Sequence, residues 1–178
     1  MRRFCLPALL LTLVLLFPSC GRDVPPPSAS AVLASMLAAM EDTAQPLPDG
    51  ITRLTAADPS SPAYLTETFL AALYGPAARG LLEGEENQPP AVSDVALFLS
   101  MTAYPCELAV FLCADSDTAR AVARLCRSRV DTIARGYGET PWAQEAANGR
   151  VTVCGNYVLL ALCEDPEATL DSAIRSLP

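Results

Sequence analysis

Two apolar segments in the second half of the chain constrain its fold most. Residues 92–101 (VSDVALFLSM) and 106–113 (CELAVFLC) are short, rich in aliphatic and aromatic residues, and joined through a Tyr104-Pro105 turn. Both are apolar at successive positions in their middles, whereas a strand with one solvated face alternates between apolar and polar residues. The pattern predicts two neighbouring strands in the centre of a sheet.

A long helix and a second pair of strands follow these segments. Residues 115–137 carry an apolar stripe at helical spacing. Residues 150–154 and 157–163 are typical of a hairpin closed at Gly155, where glycine supplies a positive φ, and Pro166 begins a final helix. The order strand, strand, helix, strand, strand, helix predicts an α+β fold with an antiparallel sheet of about four to five strands and helices packed mainly on one face.

The segment before these elements has its own helix and strand signals. Apolar residues at helical spacing predict an opening helix that ends near Met40, and residues 51–57 are typical of a short strand. Ser61 and Pro62 predict the cap and the first position of another helix, which stops at Gly75. One domain over residues 30–178 accommodates all of these elements.

The start of the chain has the composition of a secretory signal. Arg2 and Arg3 precede an apolar run at 4–17. This run is shorter than the 20 or so residues that a membrane-spanning helix needs, and it contains Pro7. The pattern predicts a signal peptide over residues 1–19 and an extracytoplasmic protein.

Cys20 follows the signal at the position that a bacterial lipoprotein requires. Its thiol would accept a covalent diacylglyceryl lipid, and labelled palmitate would enter the protein there. Phe17 and Pro18 stand where a lipobox usually has leucine and a small residue, whereas Ser19 fits. The alternatives are an ordinary signal peptide that is cut near Cys20 without lipidation, or an uncleaved anchor.

A spacer and an acidic domain follow the anchor. Residues 20–29 are rich in Pro, Ser and small residues, which predicts a flexible linker. All 20 acids lie beyond Cys20 and two of the 12 arginines leave with the signal, so the mature chain carries a net charge of −10. Such a chain repels phosphate polymers, which argues against a nucleic-acid partner.

The residue types that are absent limit the chemistry. The chain has no histidine and no lysine, so Ser-His-Asp, Cys-His, Schiff-base and Walker-type sites are excluded. Five acids are considered for a two-carboxylate hydrolase, but two of them are better explained as helix caps, and the one that opens a strand is placed at the rim of the sheet. They are Glu107, Asp115, Asp117, Glu139 and Glu145.

Five cysteines of the mature domain lack any C-x-x-C spacing, which predicts no metal site. Cys106 and Cys113 are seven residues apart along one strand and so belong to opposite faces. Cys113, Cys154 and Cys163 either meet across neighbouring strands or are separate buried apolar residues, as Cys126 is in its helix.

The long helix carries half of the arginines of the mature chain. Arg120, Arg124 and Arg127 fall opposite its apolar stripe. They form either a contact for an anionic partner, such as lipid headgroups or cell-wall phosphate, or a solvated face that pairs with Asp117 and Asp131.

Several short motifs resemble a known family. They are Leu99-Ser100-Met101, Glu107-Leu108-Ala109-Val110-Phe111, the arginine-bearing helix, and Gly155-Asn156-Tyr157-Val158-Leu159-Leu160. Over about residues 64–177 the chain resembles the bacterial domain-of-unknown-function family 4358. The resemblance implies a small lipoprotein-like protein, mostly found in Gram-positive anaerobes, and it implies no activity.

The sequence therefore predicts an exported, lipid-anchored protein at the outer face of the bacterial cell membrane. Its predicted role is that of a non-enzymatic binding or accessory module with an unknown protein or cell-wall partner, with no cofactor and no catalytic residues. Two alternatives stay open, a carboxylate-dependent cell-wall or glycan hydrolase and a small solute-capture lipoprotein for a transporter.

Overall fold

The structure is a computed structural model that describes residues 25–84 and 89–178. The predicted signal peptide, Cys20 and the first part of the linker lie outside the described residues. Within these ranges the chain forms five α-helices and five strands: α1 (Ala29–Asp42), β1 (Gly50–Leu54), α2 (Glu67–Tyr74), β2 (Val92–Ser100), β3 (Glu107–Cys113), α3 (Ser116–Tyr137), α4 (Ala143–Ala147), β4 (Arg150–Cys154), β5 (Tyr157–Leu162) and α5 (Pro166–Arg175). None of these helices combines the length and apolar character that crossing a bilayer requires.

The five strands form one antiparallel sheet in the order β1-β2-β3-β5-β4. The α+β class, the antiparallel sheet and the central position of β2 and β3 are confirmed. The β4–β5 hairpin turns at Gly155, whose φ of +57° is the left-handed conformation that glycine adopts at least cost.

The helices cover both faces of this sheet rather than mainly one. Helices α2 and α3 pack on one face and enclose the front core, which includes Leu97, Phe111 and Leu160. Helices α1 and α5 pack on the other face and enclose the back core, which includes Val110 and Leu159. Because the central strands are apolar on both faces, each face needs its own cover of helices.

Helix α2 begins later than the sequence predicts. Thr66 is its N-cap and accepts a hydrogen bond from the backbone N–H of Phe69, so the prediction of a start at Ser61 and Pro62 is wrong. The backbone around residue 64 instead pairs in parallel with the end of β1: Leu65 N donates to Leu54 O at 3.0 Å. A tertiary pairing satisfies the backbone there and overrides the local helix signal.

One carboxylate fastens the start of the folded chain to the sheet. Asp94 in β2 accepts hydrogen bonds from Ala29 N and from the Thr55 hydroxyl, both at 2.7 Å. The Tyr157 hydroxyl also donates to Pro27 O at 2.6 Å, so the end of the predicted linker contacts the domain. The chain therefore enters α1 at a defined point of the back face.

Candidate functional site

A cleft of about 420 Å³ opens at one end of the sheet, where β2 ends and β3 begins. Helices α2 and α3 form its walls, and Met101 stands at its mouth with 66% of its surface exposed. Its apolar lining includes Phe69, Leu73, Leu99, Ile133 and Leu162. Its volume lies within the range of small-molecule sites.

An ion pair between a half-buried arginine and a buried carboxylate lies against this apolar lining. Arg129 donates to Oε2 of Glu107 from Nη2 at 2.8 Å and from Nε at 3.0 Å. The Tyr74 hydroxyl donates to Oε1 of the same carboxylate at 3.0 Å. Glu107 is only 3% exposed, so the strand-opening acid that the sequence places at the rim of the sheet lies inside the protein.

Each member of this ion pair is positioned by a different element. Glu107 is the first residue of β3 and faces the same side as Ala109 and Phe111, which belong to the front core. Tyr74 is the last residue of α2, and its ring packs edge-on against Phe111 at 5.5 Å between centroids. Arg129 comes from the middle of α3.

The sequence contained a signal for Arg129 that the arginine pattern concealed. Arg129 lies three residues after Cys126 and four before Ile133, so helical spacing places it beside the apolar stripe. The other arginines of α3 lie on the opposite face. A count of arginines along the helix does not distinguish Arg129 from them.

The ion pair leaves one donor of a cleft-lining residue without a protein partner within residues 25–84 and 89–178, and it adds no net charge. Both oxygens of Glu107 are engaged, whereas Nη1 of Arg129 makes no hydrogen bond to the described residues. Burial, reinforced by the nearby Glu107 carboxylate, raises the pKa of Tyr74 well above its ordinary value, so its hydroxyl stays protonated.

The other acids proposed for hydrolysis do not line the cleft. Asp115 caps α3 by accepting the backbone N–H of Thr118 at 2.7 Å, and this bond holds the pKa of Asp115 below its ordinary value. Asp117 is exposed and pairs with Arg120. Glu139 and Glu145 do not line the cleft.

A second cavity of about 410 Å³ lies beside α2 and the turn after it. Glu67 and Glu83 line it together with Arg79. Glu67 Oε2 accepts the backbone N–H of Leu82 at 3.0 Å, so this acid has a structural role in holding the turn.

The three arginines predicted as an anionic-partner contact share the outer face of α3. Arg120, Arg124 and Arg127 are all exposed. In the described part of the chain, only Arg120 of the three has a carboxylate within 4.0 Å, that of Asp117. Arg124 and Arg127 stay open to solvent, and their contact with a partner remains a prediction.

The structure separates the cysteines that the sequence grouped. Cys113 lies in the front core and Cys163 in the back core, on opposite sides of the sheet. Cys154 pairs with Tyr157 and is six residues of β5 away from Cys163, or about 20 Å. The prediction that Cys106 and Cys113 face opposite sides is confirmed.

All five cysteines are free thiols in the structure, and all but Cys154 are buried. Among the described residues, no three His, Cys, Asp or Glu side chains are placed to hold a metal ion. Burial is the main influence on the pKa of the four buried thiols.

The buried thiols predict a loss of stability at alkaline pH. Burial raises the pKa of Cys106 and Cys113 from 9.0 to about 12 and that of Cys163 to about 11. Above pH 9 the unfolded chain loses protons that the folded chain keeps, so stability is full below about pH 9 and falls as the pH rises towards these folded values. We expect urea titrations to show a free energy of unfolding that is about 2 kcal/mol lower at about pH 9.5 than at pH 8.

A Cys113→Ala variant is the control for this titration, because it removes one of the raised thiols. Its stability should fall less steeply over the same pH interval. A stability that rises with pH, or equal slopes for variant and parent, would contradict the assignment to buried thiols.

Comparisons with protein-family models, with curated proteins and with solved structures give no match. The resemblance to family 4358 stays a prediction.

Proposed function

We propose that this protein is an exported, lipid-anchored binding module at the outer face of the cytoplasmic membrane, and that its ligand occupies the cleft beside Glu107 and Arg129. The signal-like start and Cys20 support the location. The cleft supports the binding role, because it joins an apolar lining to polar groups that include the Glu107–Arg129 pair and the hydroxyl of Tyr104.

The unpaired donor on Arg129 is the observation that carries the proposal. Glu107 cancels the charge of the guanidinium, so a carboxylate ligand would gain little attraction and would meet a second carboxylate. A neutral carbonyl oxygen can accept from Nη1 without this repulsion. The ligand is thus a small, mainly apolar molecule with one neutral acceptor oxygen, such as an amide.

The same geometry favours binding over hydrolysis. A two-carboxylate mechanism needs acids about 5 to 10 Å apart at the reacting bond. Among the described residues, Glu107 is the one acid that lines the cleft, and Arg129 and Tyr74 engage both of its oxygens. Its role there is to orient Arg129.

A fluorescence experiment tests the ligand class. A soluble form that starts at residue 25 contains every described helix and strand, and N-phenyl-1-naphthylamine reports an apolar site by its increased emission. We expect binding of this probe, and we expect octanamide to displace it at concentrations at least tenfold lower than octanoate does.

Two exposed apolar residues provide matched variants for this experiment. Met101 stands at the mouth of the cleft, whereas Leu47, also exposed, lies outside it. Met101→Asp should weaken probe binding at least tenfold and Leu47→Asp should leave it unchanged. Equal effects of the two variants, or stronger displacement by octanoate, would refute this ligand assignment.

The anchor has a separate test in living cells. Labelled palmitate should enter the full-length chain and remain with the membrane fraction, and Cys20→Ala should abolish both because the lipid-accepting thiol is lost. Cys5→Ala is the control, since Cys5 lies inside the predicted signal. Labelling that survives in Cys20→Ala, or an intact mass that retains residues 1–19, would reject the proposed anchor.

A further inference from the structure

Cys106 immediately precedes β3, and Cys163 immediately follows its neighbour β5. The register of β3 and β5 pairs Glu107 with Leu162 and Leu108 with Ala161. One further step of the same register, just past the strand ends, pairs Cys106 with Cys163. Both side chains belong to the back core, so they project to the same face of the sheet.

The hydrogen-bond pattern fixes the type of this pair. Cys113 N donates to Asn156 O at 2.9 Å, and these two residues are opposite each other in the same register. Hydrogen-bonded and non-hydrogen-bonded pairs alternate along an antiparallel ladder. Cys106 is seven residues from Cys113, an odd number of steps, and therefore takes part in a non-hydrogen-bonded pair.

Non-hydrogen-bonded pairs bring side chains closest together. Their Cα atoms are about 4.5 Å apart, within the range of about 4.4 to 6.8 Å that a disulfide requires. The other described cysteines have no cysteine opposite them: Cys113 is opposite Asn156, Cys154 is paired with Tyr157, and Cys126 is in a helix. Cys106 and Cys163 alone are aligned across adjacent strands.

We propose that Cys106 and Cys163 form a cross-strand disulfide when the folded chain meets a disulfide donor. Cys106 is 4% exposed and Cys163 is 0% exposed, so Cys106 is the thiol that a small donor reaches first. Its thiolate attacks one sulfur of oxidised glutathione, which forms a mixed disulfide and releases one glutathione thiolate. The Cys163 thiolate then attacks the Cys106 sulfur and releases the second glutathione, so the two protein thiols lose two protons to solvent and two electrons to the donor.

The bond would join the two strand ends that form the floor of the cleft. Glu107 follows Cys106, Leu162 precedes Cys163, and both line the cleft. A covalent link at this point holds the Glu107 end of β3 against β5, and it closes a long loop that contains α3, α4 and the β4–β5 hairpin.

The test is a thiol count on the full-length chain in detergent. The protein is reduced, desalted, incubated with oxidised glutathione while folded, and then alkylated in urea. We expect two fewer alkylated cysteines, a loss of 2 Da from the disulfide, and a midpoint of thermal unfolding higher by about 10 °C.

Single substitutions identify the linked residues, because trypsin leaves Cys106 with Cys113 and Cys154 with Cys163 in the same two peptides. Cys106→Ala and Cys163→Ala should each abolish the link, whereas Cys113→Ala and Cys154→Ala should each retain it. Circular dichroism checks that every variant is folded. Five reactive mature-domain thiols after oxidation, a link that survives in Cys106→Ala, or a link that forms only in urea would overturn the proposal.

Discussion

An Arg129→Met variant is expected to have a free energy of unfolding about 3 to 5 kcal/mol lower than that of the parent chain, because its Glu107 carboxylate is left buried without a cation. Methionine keeps most of the side-chain volume, so the effect reports lost charge pairing rather than a cavity. Chemical unfolding in urea at neutral pH measures this difference.

Two further variants distinguish the effect of the unpaired charge from the effect of replacing any arginine in α3. The double variant Glu107→Gln with Arg129→Met should regain most of the lost stability, since the amide is neutral and its oxygen still accepts from the Tyr74 hydroxyl. Arg124→Met, on the exposed face of the same helix, should change stability by less than about 0.5 kcal/mol. If Arg129→Met behaved like Arg124→Met, the pair would not stabilise this part of the fold.

The central strands show what local patterning predicts. Val110 and Phe111 are adjacent and both buried, one in each core. Their neighbouring apolar positions were sufficient to place β3 in the middle of a sheet. The same pattern implies helices on both faces. The order of the elements alone does not show which helix covers which face, because that depends on the side of the sheet on which each connection crosses.

The start of α2 shows where local signals lose to tertiary structure. Ser61 and Pro62 have the right chemistry for a helix start, and Ser61 does accept the backbone N–H of Ala63 at 3.1 Å. The strand pairing of residues 63–65 with Leu54 uses the backbone groups that a helix would need. The outcome depends on a contact with another segment, which the sequence around Ser61 does not reveal.

The candidate site was predictable only in part. The side of Glu107 follows from its spacing to Phe111, and the position of Arg129 follows from its spacing to Cys126. Their contact depends on the crossing of α3 over the end of β3, which the sequence does not specify. The alignment of Cys106 with Cys163 likewise requires knowing that β5, and not β4, lies beside β3.

Phe111→Ala is expected to lower the free energy of unfolding by about 3 to 5 kcal/mol, because it empties the centre of the front core. Phe111 is 1% exposed and lies on the middle strand, so neighbouring elements on both sides restrict collapse into the cavity. The variant also removes the ring against which Tyr74 packs. Urea unfolding measures the loss, and the naphthylamine probe reports the cleft.

Phe111→Leu provides the control, since it keeps an apolar side chain and leaves a smaller cavity. It should cost less than half as much stability as Phe111→Ala. Probe affinity should fall more in Phe111→Ala than in Phe111→Leu, because the Tyr74 ring loses its support and its hydroxyl no longer holds Glu107 in place. A Phe111→Ala variant with the full stability loss but unchanged probe affinity would show that the cleft is positioned independently of the front core.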